Sequence, residues 1–298
     1  MRKPKSRWAL TFGLVIYFSL RCLAHPASGI ILDSQGQIYF ADAARGVYLI
    51  KKTGDLIRYS AQSEHWLALD SQGRFSESAE LTSASNRIYR ITPERAIPAI
   101  LLTSGAPITI GADGDLYYAA YTREGPLQVM RRTPQQESLF VRIDSSADGQ
   151  PLHWINGICT GPDGSLYFTE NDAVRKISRK GRISTVVSHL QRATGPSVPG
   201  IRAELGPYLR GLAVDTNGNI WVAATGECAV LKITSAGQVT TVLKTQSPWS
   251  PTGIAVSGGD VYSLEYFHTA TDIRTEWYPR VRKQSSDGKV ITLANLQR

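Results

Sequence analysis

Six similar segments follow one another along this 298-residue chain, and this repeat limits the fold more than any other feature. Copies begin at Gly29, Gly157 and Gly211 and, less clearly, near Trp66, Pro107 and Gly253. Each copy has a short apolar run, then Asp-x-x-Gly or a variant of it, then a second apolar run. Because Asp caps its own backbone and Gly takes positive φ, the pattern predicts a tight turn between two strands.

Two further short strand-like runs follow in most copies, for example residues 173–178 and 182–187. Four short antiparallel strands per repeat are typical of one propeller blade. The equivalent turn positions are 37 to 54 residues apart, at Gly36, Gly73, Gly114, Gly164, Gly218 and Asp260. A single blade cannot bury both faces of its sheet, so the blades must stack in a ring. We therefore expect an all-β protein, a six-bladed β-propeller of four-stranded antiparallel blades.

Insertions and the chain ends complete this organisation. The longer intervals between turns place insertions at residues 145–153, 191–208 and 267–279. The last blade has its own fourth strand at residues 289–296, so the sequence does not indicate closure by exchange of strands between the termini. We expect one propeller domain over residues 25–298.

The first 24 residues have the order of a secretory signal peptide. A basic start is followed by an apolar run over residues 8–20 and by small residues up to Ala24. That run is thirteen residues long, whereas a bilayer span needs roughly 20. We expect cleavage near Ala24, a secreted or periplasmic protein, and no membrane span in the mature chain. A retained anchor is the alternative.

The basic charge of the chain is no argument for nucleic-acid binding, and we expect no nucleic acid as a partner. The formal charge is +8, but residues 1–24 hold five basic and no acidic residues, which leaves 28 basic against 25 acidic, or +3. The mature chain keeps Cys159 and Cys228. They either pair in an oxidising compartment or serve as two small core residues.

The repeat also locates a candidate site. The residue before each first strand should lie at one end of the central channel, which we call the mouth. These residues are Ser28, His65, Ala106, Asn156, Arg210 and Thr252. The antiparallel second strands return to the same end and finish at Asp42, Ala79, Ala120, Glu170, Ala224 and Glu265.

Three interpretations of this polar mouth remain open. The oxygens of Asn156 and Glu170 suit a hard cation such as Ca²⁺ or Mg²⁺. Arg210 beside carboxylates suits an anionic ligand bound through two parallel hydrogen bonds. Alternatively, the mouth is simply wet and Arg210 pairs with Glu170 or Glu265.

Residues 161–177, Gly-Pro-Asp-Gly-Ser-Leu-Tyr-Phe-Thr-Glu-Asn-Asp-Ala-Val-Arg-Lys-Ile, resemble the repeats of streptogramin B lyase. The broader pattern resembles NHL repeats and the regucalcin/gluconolactonase propellers, and the resemblance covers residues 29–298. In streptogramin B lyases, a mouth His and a Glu fourteen residues later act near bound Mg²⁺. Here the matching pair is Asn156 and Glu170. An amide cannot accept the proton, so the resemblance then requires another base, His65 or His153.

The resemblance to gluconolactonases has a similar defect. Those enzymes gather a Glu, an Asn and an Asp around a divalent cation. Asn156-Gly157 matches their Asn-Gly, but Arg210-Gly211 stands where Asp-Gly is expected. A guanidinium at that position repels a cation.

These observations lead to two functional hypotheses. The first is a binding module that takes a protein or small-molecule ligand at the mouth, through Asp42, Asn156, Arg210, Thr252 and Glu265. The alternative is a metal-dependent lyase or lactone hydrolase, with Glu170 and His65 catalytic and with Asn156 and Glu170 on the metal.

Aromatic residues in or beside loops are a further candidate surface. Trp249, Trp277 and Tyr278 suit either partner recognition or packing between blades. The basic run over residues 175–182 is interpreted as a solvated outer edge.

Overall fold

The structure is a computed structural model and describes residues 26–77, 80–82, 86–93, 95–121, 125–191, 206–269 and 276–297. These residues form six four-stranded antiparallel sheets, and each sheet is one blade. The predicted all-β six-bladed propeller is therefore confirmed. The leader, Ala79 and most of the insertion at 191–208 lie outside the described residues. Within them, no helix is long and apolar enough to cross a membrane.

The strands follow one another blade by blade. Blades 1 to 3 contain β1 (Ile30–Leu32), β2 (Ile38–Asp42), β3 (Gly46–Ile50), β4 (Leu56–Ser60); β5 (Trp66–Asp70), β6 (Glu80–Thr82), β7 (Arg87–Arg90), β8 (Ala99–Thr103); β9 (Ile108–Ile110), β10 (Leu116–Ala120), β11 (Leu127–Arg132), β12 (Glu137–Ile143). Blades 4 to 6 contain β13 (Gly157–Thr160), β14 (Leu166–Thr169), β15 (Val174–Ile177), β16 (Ile183–Val187); β17 (Leu209–Val214), β18 (Ile220–Ala224), β19 (Ala229–Ile233), β20 (Val239–Lys244); β21 (Trp249–Ser257), β22 (Asp260–Phe267), β23 (Tyr278–Gln284), β24 (Val290–Asn295).

The first strand of every blade lines the central channel. These six strands contact one another in a closed cycle, β1 to β5, β9, β13, β17, β21 and back to β1. Three residues from each of them surround a cavity of about 300 Å³. Cys159 is among these lining residues, whereas Cys228 is buried just before β19, and the two cysteines do not form a disulfide.

Blade 2 is threaded differently from the other five. Its sheet order is β5-β8-β7-β6, so the strand beside β5 is the last of the blade and not the segment after the turn at Gly73. The physical reason is burial. The second position needs a strand that is apolar on both faces, and β8 is buried throughout, whereas residues 74–77 are largely polar. Since His65 N–H donates to Thr103 O (3.2 Å), the residue equivalent to Glu170 is Ser104 and not Ala79.

Glycines near the mouth ends of three first strands permit a very close approach of neighbouring blades. A Cβ on Gly157 would lie 2.6 Å from the carbonyl oxygen of Arg210, and one on Gly211 would lie 2.8 Å from that of Thr252. At Gly253 it would overlap the carbonyl oxygen of Ser28. Each glycine therefore makes room for the backbone of the next blade.

A hydrogen bond to a backbone carbonyl spans every junction between neighbouring blades at the mouth end. Three junctions use a buried threonine hydroxyl as the donor. The six bonds are Ser28 N to His65 O (2.9 Å), Asn86 Nδ2 to Ala119 O (3.1 Å), Tyr121 Oη to Ile155 O (3.3 Å), Thr169 Oγ1 to Arg210 O (2.7 Å), Thr225 Oγ1 to Pro251 O (2.7 Å) and Thr252 Oγ1 to Ala27 O (2.6 Å).

The ring closes through side chains, because blade 1 and blade 6 each take all four strands from consecutive sequence. The prediction that the last blade completes itself is thus confirmed. In addition to the Thr252 bond, the Tyr266 hydroxyl donates to Ala41 O (2.9 Å) and accepts from Ala43 N–H (3.2 Å). Arg45 Nη1 donates to the carbonyl of Trp277 (3.2 Å).

The close approach at Gly253 makes a first testable prediction. We expect Gly253→Ala to lower the free energy of unfolding by about 3 kcal/mol or more, because the new methyl overlaps the backbone of blade 1. Gly218 is the control, since its φ is +79° but a Cβ there would meet no atom. Gly218→Ala should cost about 1–2 kcal/mol through backbone strain alone. Urea titrations of both variants that give equal losses would contradict this account.

Candidate functional site

The predicted mouth residues do converge at one end of the channel, but most of them are packed rather than open to solvent. Ser28, His65, Ala106, Arg210 and Thr252 are buried, and Asn156 is half-buried. This end of the ring is therefore filled by protein.

Glu170, the predicted catalytic carboxylate, is engaged within its own blade. Its Oε1 accepts from Arg175 Nη1 (3.1 Å), and its Oε2 accepts from Ala147 N–H (2.9 Å). Arg175 also donates to Ser145 O (2.6 Å). Both carboxylate oxygens are thus used to fix the insertion at 145–153 against blade 4.

The carboxylate of Glu265 is fully buried between two arginines of β23. Arg280 Nε donates to one oxygen (2.7 Å), and Arg282 Nε and Nη2 donate to the other (2.8 and 2.6 Å). Arg280 also stacks over the Trp249 ring at 4.1 Å. Trp249 and Tyr278 belong to a half-buried aromatic group with Phe267.

Asp42 follows the same pattern in blade 1. Its carboxylate accepts from Arg45 Nη1 (3.0 Å) and from Ala44 N–H (2.9 Å). The alternative that Arg210 pairs with Glu170 or Glu265 is therefore wrong for the described residues, since each glutamate pairs with arginines of its own third strand.

Arg210 instead contacts Pro26, in the segment that precedes β1. Its Nη2 donates to the carbonyl oxygen of Pro26 at 2.8 Å. Burial removes water from the guanidinium and lowers the pKa of Arg210, while the neighbouring Tyr208 and Tyr266 oppose that shift. Thr252 makes a comparable contact, through its hydroxyl, with Ala27 O.

His65, the predicted base, lies at the mouth end and is buried. Its carbonyl oxygen accepts from both Ser28 N–H (2.9 Å) and Gly29 N–H (2.8 Å). The catalytic role of its ring stays a prediction.

An open cavity of about 400 Å³ lies at the mouth beside the packed ring. Aromatic rings and polar side chains share its wall, chiefly Tyr121, Trp154, Tyr208, His153, Asn156 and Arg210. Trp154 is 56% exposed although it is apolar. The sequence patterns did not predict a role for Trp154, Tyr121 or Tyr208. Their positions directly beside insertions and mouth residues are the feature that could have indicated one.

A second cavity of about 220 Å³ adjoins the first, because His153 and Trp154 line both. Asp148, Asp172 and Glu170 contribute carboxylates to its wall. The hydrogen bond from the Ser146 hydroxyl lowers the pKa of Asp148.

A serine–histidine pair lies buried near the mouth and has no counterpart in the sequence motifs. Ser250 Oγ and His268 Nε2 are 2.7 Å apart. Burial, together with the charge of Arg210, lowers the pKa of His268 to about 3. Burial thus makes this imidazole a weak base, and its contact with Ser250 joins β21 to the residue that follows β22. Trp277 packs on His268 and is itself buried, so it packs within the fold and is not a recognition surface.

Comparisons with known proteins agree with this architecture. A family model described as SMP-30/Gluconolactonase/LRE-like region matches residues 127–271, just under half of the chain. Virginiamycin B lyase from Staphylococcus aureus superposes with a TM-score of 0.54 at 16% identity, over 92% of this chain and 85% of the lyase. Regucalcin from Agrobacterium tumefaciens, a calcium-binding protein, has a TM-score of 0.51 at 14% identity, over 80% and 81%. No curated protein sequence matches the chain.

The chain is a six-bladed propeller that resembles this group. The resemblance to the lyase and regucalcin/gluconolactonase propellers is thus confirmed, whereas the NHL-repeat assignment stays a prediction. At identities of 16% or less, the solved structures show the fold alone.

The residues at the mouth do not fit the divalent cation that the resemblance implies. Glu170 uses both oxygens for Arg175 and Ala147, and Asn156 Nδ2 donates to Asn171 Oδ1 (3.0 Å). Among the described residues, no group of three His, Cys, Asp or Glu side chains is arranged to hold a metal ion. The Arg175 guanidinium, whose Nη1 lies 3.1 Å from Glu170 Oε1, would repel a cation placed on this carboxylate.

This ion pair makes a second prediction. Glu170→Ala should lower the free energy of unfolding by about 3 kcal/mol, because it leaves the Arg175 charge, which is only 11% exposed, without its carboxylate partner. Lys176→Met is the control in the same blade, because it breaks the Asp163–Lys176 pair but keeps the hydrogen bonds that Asp163 accepts in its turn. That pair is 45% and 31% exposed and should contribute less than about 1 kcal/mol. We also expect calorimetry on the unaltered chain to show no micromolar Ca²⁺ or Mg²⁺ binding. Binding that Glu170→Ala abolishes would reverse this conclusion.

His268 makes a third prediction, on the pH dependence of stability. Its pKa is lowered to about 3 in the fold, so the unfolded chain takes up a proton near pH 6.5 that the folded chain does not. Stability contributed by neutral His268 is present above pH 6.5 and is lost as the pH falls, by about 2 kcal/mol between pH 6.5 and 5. Urea midpoints should show this loss, and His268→Gln should flatten it. His153→Gln should leave the slope unchanged, and a slope equal in all three proteins would refute the assignment.

Proposed function

We propose that this protein is an exported ligand-binding propeller that takes a small molecule in the 400 Å³ cavity at the mouth. The observation that carries the proposal is the wall of this cavity, where the exposed Trp154 ring lies with Tyr121 and Tyr208 beside the polar groups of Asn156 and Arg210. Apolar walls with a few polar groups are typical of small-molecule sites, and the volume is within their usual range of about 300–1,000 Å³. Export is part of the proposal and is supported by the leader pattern.

The wall also indicates the chemistry of the ligand. The rings of Trp154, Tyr121 and Tyr208 favour a flat apolar body. Asn156 supplies an amide donor, and Arg210 gives the wall a positive charge. We therefore infer a flat ligand that carries an anionic or hydrogen-bond-accepting group. A concave site of this size favours a small molecule over a protein partner.

The enzymatic alternative, a metal-dependent lyase or lactone hydrolase, has less support. One similar solved structure is a virginiamycin B lyase, but at 16% identity the similarity extends to the fold alone. In this chain the carboxylates of Asp42, Glu170 and Glu265 are each held by an arginine. The charge of each carboxylate is already paired, which makes it a poor ligand for a cation.

The test uses a matched pair of fluorescent probes and the chain produced from His25 onward. 8-Anilinonaphthalene-1-sulfonate is a flat aromatic anion, and N-phenyl-1-naphthylamine has the same rings without the sulfonate. We expect the anionic probe to bind saturably at one site, and we expect the neutral probe to bind about tenfold more weakly. Trp154→Ala and Asn156→Asp should each weaken binding of the anionic probe by about tenfold. The first removes part of the apolar wall, and the second adds a negative charge.

Ile97→Ser is the control, because Ile97, at 65%, is the most exposed large apolar side chain among the described residues and lies outside the cavity. Its affinity for the probe should equal that of the unaltered chain. Equal binding of the two probes, or unchanged binding in Trp154→Ala, would refute the proposal. Turnover of lactones or cyclic depsipeptides with Mg²⁺, lost in Glu170→Gln, would replace it with the enzymatic alternative.

A further inference from the structure

The first described residues of the chain, Pro26–Gly29, lie at the channel mouth, and we call them the N-terminal strap. All four residues are buried. Ala27 has no exposed surface, although the strap lies outside the sheet of blade 1, whose first strand begins at Ile30. Because a buried segment outside the sheet has no strand partner, its backbone N–H and C=O groups need other hydrogen-bond partners.

Polar groups from three other blades bind the backbone of the strap. Arg210 of blade 5 donates to Pro26 O (2.8 Å), and Thr252 of blade 6 donates to Ala27 O (2.6 Å). On the other side, the His65 carbonyl of blade 2 accepts from Ser28 N–H and Gly29 N–H. Carbonyls meet donors and N–H groups meet an acceptor, which is the pattern of a bound peptide backbone.

The reach of these contacts shows how the strap runs. Blades 5 and 2 lie on opposite sides of blade 1 in the ring, with blade 6 between 5 and 1. The Arg210 guanidinium therefore reaches Pro26 past blade 6, while Gly29 lies beside blade 2. The strap is thus bound by residues from both sides of blade 1.

This arrangement explains why an arginine stands at position 210. A carboxylate or a threonine at this position cannot donate across the width of blade 6, whereas the long guanidinium reaches the Pro26 carbonyl. Pro26 suits this end, because proline lacks an N–H group that would need a partner in the buried mouth. Arg210 thus binds peptide backbone at the position where the resemblance leads one to expect a carboxylate for a cation.

We propose that the channel mouth is a recognition site for an extended peptide backbone and that the chain's own strap, Pro26–Gly29, occupies it as an internal ligand. Arg210 and Thr252 are the residues that hold the strap. The proposal does not depend on the ligand of the neighbouring cavity, since every contact that supports it is within the chain.

Protection from an exopeptidase tests this proposal directly. The chain produced from His25 onward begins His25-Pro26-Ala27, which is the substrate pattern of a dipeptidyl peptidase that cuts after a proline in the second position. A held strap should protect the Pro26–Ala27 bond, because cleavage requires the strap to leave the mouth first. We expect the unaltered chain to lose His25-Pro26 at least about a hundredfold more slowly than a free peptide of residues 25–32, measured by mass spectrometry.

Variants then assign the protection to the residues that hold the strap. Arg210→Ala should speed cleavage by about ten- to a hundredfold, because a hydrogen bond from a charged donor is lost. Thr225→Val is the matched control. It removes a threonine bond of the same kind (2.7 Å, to Pro251 O) at the next junction but touches no strap residue, so its rate should stay within about twofold of the unaltered chain.

The outcomes are distinct. Cleavage of the unaltered chain as fast as the peptide would show that the strap is not held. An Arg210→Ala rate equal to the unaltered one, or a Thr225→Val rate equal to that of Arg210→Ala, would also overturn the proposal. If circular dichroism shows that Arg210→Ala is unfolded, Thr252→Val replaces it, with an expected increase of about three- to tenfold for a neutral bond.

Discussion

The structure depends on how closely the six first strands approach one another at the mouth end of the channel. Gly157, Gly211 and Gly253 place bare Cα atoms against the carbonyl oxygens of the next blade. Those blades are then close enough for Thr169, Thr225 and Thr252 to hydrogen-bond across the junctions. The glycine at the start of the repeat, unlike the glycine in its turn, is thus required by packing between blades. This explains why the repeat pattern begins with glycine in the best copies.

The same close approach determines the electrostatics of the mouth. A carboxylate at the end of a second strand is buried there, and a buried charge must find a partner within hydrogen-bond distance. The nearest available side chains belong to the third strand of the same blade, which pairs directly with the second. Glu265 lies opposite Arg280, and Glu170 is next to Thr169, which lies opposite Val174 beside Arg175. The carboxylates are therefore neutralised locally and do not face one another across the channel.

Periodicity made both the blades and the positions of the mouth residues predictable, because both follow from counting along the repeats. Counting failed in blade 2, where burial selects β8 as the second strand over the polar segment that follows Gly73. The partner of Glu170 was within reach of the sequence, since Arg175 follows it across a short hairpin. The partners of Glu265 were not, because the insertion at 267–279 hides the register. The wall of the mouth cavity combines loops from several blades, and no local pattern connects Tyr121, Trp154 and Tyr208.

Arg210 shows how one backbone position can serve different chemistry within the same architecture. The propeller fixes the position of the residue before Gly211, which is buried at the mouth end of the channel. It does not fix what that residue must bind. Here the available partner is the carbonyl of Pro26, and a buried guanidinium is more stable against a backbone dipole than against nothing. Arg210 also lines the open cavity, so one side chain joins the N-terminal strap to the wall of the proposed ligand site. A shift of the strap would therefore move a charge in that wall.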